Sequence, residues 1–229
     1  MTAHPPCQGI PPAAFGFYDQ LLENPTKPWW EAHKETYLEA VRAPLLALGE
    51  ASAPEFGPYH LYRPYRDVRF SADKTPYKNH QGIFVELRNG LGWYVQISAT
   101  GLMVAGGWYR SSPAQVTRYR DAVAQNSGAH VVAAFVADLE STGLCVDGEQ
   151  LKSRPRGVAA DHPHLEWLRY RTLYASRTWQ PQSWMNTTRA CGRIQTEWRR
   201  MRPFLEWLSE VVGPGESAHT TGSQGGMRG

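Results

Sequence analysis

The chain has 229 residues, 41% of them apolar and 20% charged, with a formal net charge of +3. That length supports a sizeable core, and the composition is that of a folded globular protein rather than a disordered one. The small positive surplus demands neither nucleic acid nor a membrane surface unless it is concentrated, and no run approaches the roughly eighteen apolar residues of a spanning helix.

The opening MTAHPPCQGIPPAAF lacks the basic and apolar regions of a signal peptide. Cys7, Cys145 and Cys191 are odd in number and widely spaced, without a C-x-x-C. They fit a reducing compartment and argue against a disulfide framework or zinc cluster. The expectation is therefore a cytoplasmic protein with no membrane partner. Residues 1–10 and 213–229, rich in Gly, Pro, Ser and Thr, are expected as tails around a single domain over 11–212.

Pro12 to Leu22 predicts a short helix with Phe15, Tyr18, Leu21 and Leu22 on one face, broken by ENPTKP. A second helix opens near Pro28 and carries Trp30, Tyr37, Val41, Leu45 and Leu48, with Pro44 expected to kink or restart it. Four aromatic, β-branched runs follow: YHLYRPYRDVRF, GIFVELR, GWYVQISA and GLMVAGGWY. The Asn-Gly of RNGLGW marks a hairpin, and the lack of helices between the runs predicts an antiparallel meander.

Helical patterns return at Pro113–Gln125 and His130–Leu139, and HLEWLRYRTLYASRTW reads as a helical turn followed by a strand. The last element is the clearest. Ile194, Trp198, Met201, Leu205, Leu208 and Val212 form one helical face, with Pro203 inside it predicting a kink or break. The expected fold is α+β: a meander sheet flanked by N-terminal and C-terminal helices.

Charge concentrates in RDVRFSADKTPYK, Arg66 to Lys78. Taken as extended, Arg66, Val68 and Phe70 face one way while Asp67, Arg69 and Ser71 face the other. SADKTP is turn chemistry that displays Lys74, Tyr77 and Lys78 beside the strand. Arg forks, Lys point charges and a Tyr hydroxyl together suit a carboxylate or phosphate on a small ligand. The competing reading is a set of ion pairs that holds an irregular loop. A second basic cluster holds Lys152, Arg154, Arg156, Arg169, Arg171 and Arg177, and the two are expected to serve one anion-binding cleft if they meet.

Other motifs carry less. Ser71-Ala-Asp-Lys74 has the Ser-x-x-Lys spacing, but Thr75-Pro76 oppose the helix it needs and its companion motifs are absent. His162 and His164 beside Asp161 lack a supporting ligand set, so no metal and no cofactor are expected. Gly106-Gly107 fits either a close ligand approach or a sheet bend. Dinucleotide, phosphate-loop and nucleophile-elbow glycine motifs are missing.

RDVRFSADKTPYK resembles the signature of the family known as domain of unknown function 2461, which occurs in bacteria and fungi. The N-terminal ENPTKPWWEAHKETYLEAVRAPLLAL, the AGGWY segment and the run LKSRPRG followed by DHP are similar to other segments of that family. One departure is Ala105, where the family often has a further glycine. The resemblance implies no reaction. Its motif positions are Arg66, Asp67, Arg69, Asp73, Lys74, Tyr77, Lys78, Lys152 and Arg156, the residues the charge pattern selects.

The leading expectation is a basic cleft for a small phosphate- or carboxylate-bearing ligand. Arg66, Lys74, Lys78, Lys152 and Arg156 hold the anion, and Tyr77 stacks on the ligand or bonds to it. Whether the protein is an enzyme is left open; Asp67 or Asp73 is the candidate base, or else orients a neighbouring Arg. A less favoured alternative is a nucleic-acid-binding module with Tyr62, Tyr65 and Tyr77 as stacking platforms. A third is an interaction domain whose charged string is purely structural.

Overall fold

The computed structural model describes residues 7–66, 75–88 and 90–214. Pro12–Glu23 forms α1, and Lys27–Ala32 forms α2, whose first turn is capped by Thr26 accepting from the Trp29 N–H at 3.4 Å. A short turn, α3 (Lys34–Thr36), leads into a π-helical segment, Tyr37–Arg42, and then α4 (Ala43–Phe56). The expected disturbance at Pro44 takes this form. Pro44 sits in the first turn of α4, where a missing N–H costs least, and the wider π turn precedes it.

The strands are β1 (Tyr59–Leu61), β2 (His80–Arg88), β3 (Leu91–Ser98) and β4 (Gly101–Trp108). They pair antiparallel in sequence order, as the meander reading expects. Then come α5 (Pro113–Val123), opened by a Ser112/Gln115 capping box, and α6 (Asn126–Ser141). A three-residue strand, β5 (Cys145–Asp147), and a helical turn, α7 (Leu165–Leu168), precede β6 (Leu173–Trp179). A 3₁₀ turn at Ser183–Asn186 leads to α8 (Arg189–Val212). The finished sheet is antiparallel throughout, in the order β1-β2-β3-β4-β6-β5, and the architecture is α+β. The insertion of β6 between β4 and β5 departs from a plain meander.

One face of the sheet carries the core. Ile83, Val85, Leu91, Trp93, Val95, Ile97, Leu102 and Val104 are buried there against α1, α4 and α8. The predicted break at Pro203 does not occur, since α8 runs through it. Ile194, Trp198, Met201, Leu205, Leu208 and Val212 are all fully buried. At roughly 1.5–3 kcal/mol for each large side chain, that face outweighs the cost of about 3 kcal/mol for an interior proline. Trp198 also locks the helix to β3: the Trp93 indole donates to the Trp198 carbonyl at 3.1 Å, and the Trp198 indole donates to the Tyr94 carbonyl at 3.2 Å.

Residues Cys7–Ile10, assigned to the N-terminal tail by composition, are packed. Ile10 is buried and its N–H donates to the Met185 carbonyl at 2.6 Å, while Cys7 is disulfide-bonded to Cys191 in α8. This corrects the reading of three separate thiols, because residues 184 apart in sequence meet in the fold. Cys145 is free and exposed. Among the described residues no helix is long and apolar enough to cross a membrane.

Candidate ligand-binding cleft

Among the described residues, no helix covers the second face of the sheet where β2, β3, β4 and β6 present Phe84, Tyr94, Met103 and Tyr174. A cleft of about 410 Å³ opens there, and the described residues that line it come from strands and loops. Tyr62, Lys78, His80, Tyr109 and Arg110 complete the lining. That volume falls within the range of small-molecule sites.

The aromatic walls follow from the register. Phe84 pairs directly with Tyr94 across β2 and β3. Their rings lean apart, each over a glycine of the neighbouring strand. A Cβ on Gly82 would lie 2.5 Å from Tyr94 Oη, and one on Gly92 would lie 2.7 Å from Phe84 Cζ. Tyr94 meets Tyr62 edge to face at 6.2 Å, while Phe84 meets Tyr109 edge to face at 5.8 Å. Tyr109 in turn stacks on Tyr174 at 5.3 Å. Two aromatic rows therefore flank the cleft.

Backbone bonds fix both ends of these rows. The Tyr62 carbonyl accepts from Gln81 Nε2 at 2.6 Å, and Gln81 Oε1 accepts from the Tyr37 hydroxyl at 2.9 Å, which ties Tyr62 to the helical layer. The Tyr109 N–H donates to the Gly90 carbonyl at 2.9 Å. Gly90 holds φ at 87°, the left-handed conformation that the hairpin requires.

The two glycines of AGGWY divide between the faces. A Cβ on Gly106 would lie 2.9 Å from Met201 Sδ, so this glycine admits α8. Gly107 faces the cleft side, opposite Tyr174, and a Cβ there would strike the β6 backbone. The segment serves strand and helix packing first, and the cleft through the position it gives β6.

The charged string begins and ends beside this cleft. Tyr65 and Tyr77 form an isolated antiparallel bridge, with the Arg66 N–H on the Pro76 carbonyl at 2.9 Å and the Lys78 N–H on the Pro64 carbonyl at 2.8 Å. Arg66 Nη1 donates to Thr75 Oγ1 at 3.1 Å, and its side chain lines a smaller cavity of about 210 Å³ with Leu21, Pro25 and Tyr77. Asp67, Arg69, Asp73 and Lys74, together with the Ser71-x-x-Lys74 pattern, lie outside the described residues.

Alternation then sends Tyr77 and Lys78 to opposite sides. Tyr77 is 6% exposed and lies flat on Trp30, so its expected place against a ligand is taken by the core. Lys78 turns into the cleft with Nζ 5.3 Å from the centre of the Tyr62 ring. Among the described residues it meets no carboxylate. Burial, reinforced by the Arg66 charge, lowers the Lys78 pKa from its ordinary value. His80 is also lowered, first by burial and then by Lys78 and Arg66. Burial raises Tyr62, Tyr94, Tyr109 and Tyr174, so their hydroxyls stay protonated. Arg110 reaches Glu86 at 3.7 Å on the exposed rim.

Two members of the second basic cluster hold loop groups. Arg169 donates to the carbonyls of Leu151 and Lys152 at 2.8 and 3.2 Å, and Arg171 pairs with Glu149 at 2.7 Å. Lys152 and Arg156 are exposed and are not among the described residues that line the cleft. Of the three tyrosines expected as nucleic-acid platforms, Tyr62 and Tyr65 are exposed and Tyr77 is buried. His164 Nε2 lies 2.8 Å from Asn126 Oδ1, and His162 Nδ1 accepts from the His164 N–H at 3.1 Å.

The family model described as "Conserved hypothetical protein (DUF2461)" matches residues 13–207. The chain belongs to this family. The matched span runs from α1 into α8, so the helical layer, the whole sheet and the cleft are the family domain itself. No curated protein matches the sequence.

The aromatic rows were not found by reading charge. A signal was present: Ile83-Phe84-Val85 and Trp93-Tyr94-Val95 are apolar on both faces, whereas a sheet open on one side should alternate with polar residues.

Proposed function

We propose that this domain binds a small ligand bearing a phosphate or carboxylate in the open-face cleft. Lys78 is the anchoring cation, His80 and Arg110 stand beside it, and Arg66 adds positive potential from behind. One observation carries the reading. Lys78 is a partly desolvated ammonium on the wall of an aromatic cleft, with no carboxylate opposite it among the described residues. Desolvation without compensation is unfavourable, and an incoming anion supplies the compensation. Asp67, Arg69, Asp73 and Lys74 keep the ligand-binding role expected from the sequence. Lys152 and Arg156 have no part in this cleft.

The test is a thermal-shift titration of wild type and Lys78→Ala with inorganic phosphate, phenyl phosphate and benzoate. A ligand that binds only the folded state raises the melting temperature by mass action. Stabilisation of wild type and not of the variant is the expected result. If neither protein responds to any anion, the charged string is scaffolding and the reading fails.

A further inference from the structure

The anion reading leaves the rest of the ligand unspecified, and the cleft walls constrain it. They are aromatic rather than polar, and they come from four different strands and two loops. Phe84 and Tyr94 are directly opposed in register yet lean in opposite directions, because Gly82 and Gly92 leave room for each ring to lie down on the sheet. Ordinary side chains at those glycines would stand both rings upright and close the space between them. The separation is thus built into the backbone sequence of two strands. It leaves a slot bounded by Tyr94 with Tyr62 on one side and by Phe84 with Tyr109 on the other.

A second observation points to an occupant. The Tyr109 hydroxyl is buried and has no hydrogen-bond partner among the described residues, whereas Tyr94 donates to Gln96 Oε1 at 3.0 Å. Buried hydroxyls are normally partnered; those of Tyr18 and Tyr119 are also left over in the core, but among the described residues with such a group Tyr109 alone lines the cleft, where a polar atom of a ligand can supply the bond.

We infer that the cleft takes a flat conjugated ring carrying an anionic group. The ring lies between the two aromatic rows, its polar edge meets the Tyr109 hydroxyl, and its anion reaches Lys78. This rests on the anion reading above and adds the shape and chemistry of the ligand body. Stacking suits this slot because each row presents ring faces and edges fixed by neighbours, so little side-chain freedom is lost on binding. An aryl carboxylate and a nucleoside monophosphate share this chemistry.

The experiment compares ligands matched in charge and size, by calorimetry on the full chain. Phenyl phosphate is set against cyclohexyl phosphate, benzoate against cyclohexanecarboxylate, and adenosine 5′-monophosphate against ribose 5-phosphate, with inorganic phosphate as reference. The flat member of each bound pair is expected to bind about tenfold tighter, the gain typical of one aromatic stacking contact. Tyr94→Leu should erase that preference while inorganic phosphate still binds, and Tyr109→Phe should weaken the adenosine ligand more than phenyl phosphate. Circular dichroism melts show that both variants are folded. The phosphate and carboxylate pairs distinguish the two sources of the anion. Equal binding of flat and puckered ligands overturns the ring inference and leaves the anion reading standing. No binding of any anion to wild type overturns both.

Discussion

Tyr77 lies parallel to Trp30, with ring centroids 4.2 Å apart and planes inclined by 8°. The next residue, Lys78, enters the cleft on the other side of the chain. The family string thus joins a core anchor to a candidate ligand contact at adjacent positions. Tyr77→Ala should therefore cost about 3 kcal/mol in urea unfolding, the scale of a buried aromatic truncation. Lys78→Ala should change stability by no more than about 0.5 kcal/mol and abolish stabilisation by phosphate. Comparable destabilisation by both would mean that the two residues share a structural role.

The lowered pKa of His80 gives a pH signature with a definite sign. Its folded value lies below the ordinary 6.5, so as pH falls the unfolded chain takes up this proton first. The associated stability is complete above pH 6.5 and is lost as pH drops through the folded value. His80→Gln should flatten the stability profile over that window. A bound anion favours the protonated ring, so affinity for benzoate, whose own charge is constant over this range, should rise from about pH 8 to about pH 6 in wild type and less so in the variant. Denaturation and calorimetry across that range provide the check.

Strands β2 to β4 were legible because Ile, Val, Trp and Leu recur at alternate positions and glycines punctuate the turns. The α8 face was legible for the same reason at helical spacing. Strand β5 was not: Cys145–Asp147 is three residues long, and its pairing partner Tyr174–Ser176 lies some thirty positions on. Charge pointed equally to Lys78, which lines the cleft, and to Tyr77, which joins the core, since nothing local says which side of a strand faces a core not yet assembled. The glycine-under-ring pairs were invisible for a related reason. Gly82 with Tyr94, and Gly92 with Phe84, are neighbours only once the register is set.

Glu197 holds the C-terminal helix to β6. Its Oε1 accepts from Arg177 at 2.9 Å and from Arg200 at 3.0 Å, and the residue is 6% exposed. Glu197→Gln removes the negative charge and leaves the Arg177 guanidinium, itself largely buried, without its counter-ion. A loss of about 3 kcal/mol is expected, as for other buried pairs broken on one side. Equilibrium unfolding measures it, and a change below about 1 kcal/mol would show that the carbonyls of Thr142 and Gly143 suffice to hold Arg177.

The bond between Cys7 and Cys191 closes a loop of 184 residues. Chain-entropy reasoning assigns such a cross-link up to about 5 kcal/mol. Thiol titration of the native, air-oxidised protein should count one reactive group, Cys145, and a reducing agent should lower the melting temperature. Cys7→Ser should melt like the reduced wild type. Three reactive thiols in the native protein would contradict the pairing.

The place of β6 between β4 and β5 has a consequence for the order in which the protein is made. Until Leu173–Trp179 leaves the ribosome, the β4 edge over Gly101–Trp108 has no hydrogen-bonding neighbour. A nascent chain carries that open edge through the synthesis of α5, α6 and β5, a stretch in which unpaired strands invite association between chains. Tyr174 arrives with the same strand and completes the aromatic wall. Closing the sheet and finishing the cleft are therefore one event, and a chain stopped short of Trp179 forfeits both at once.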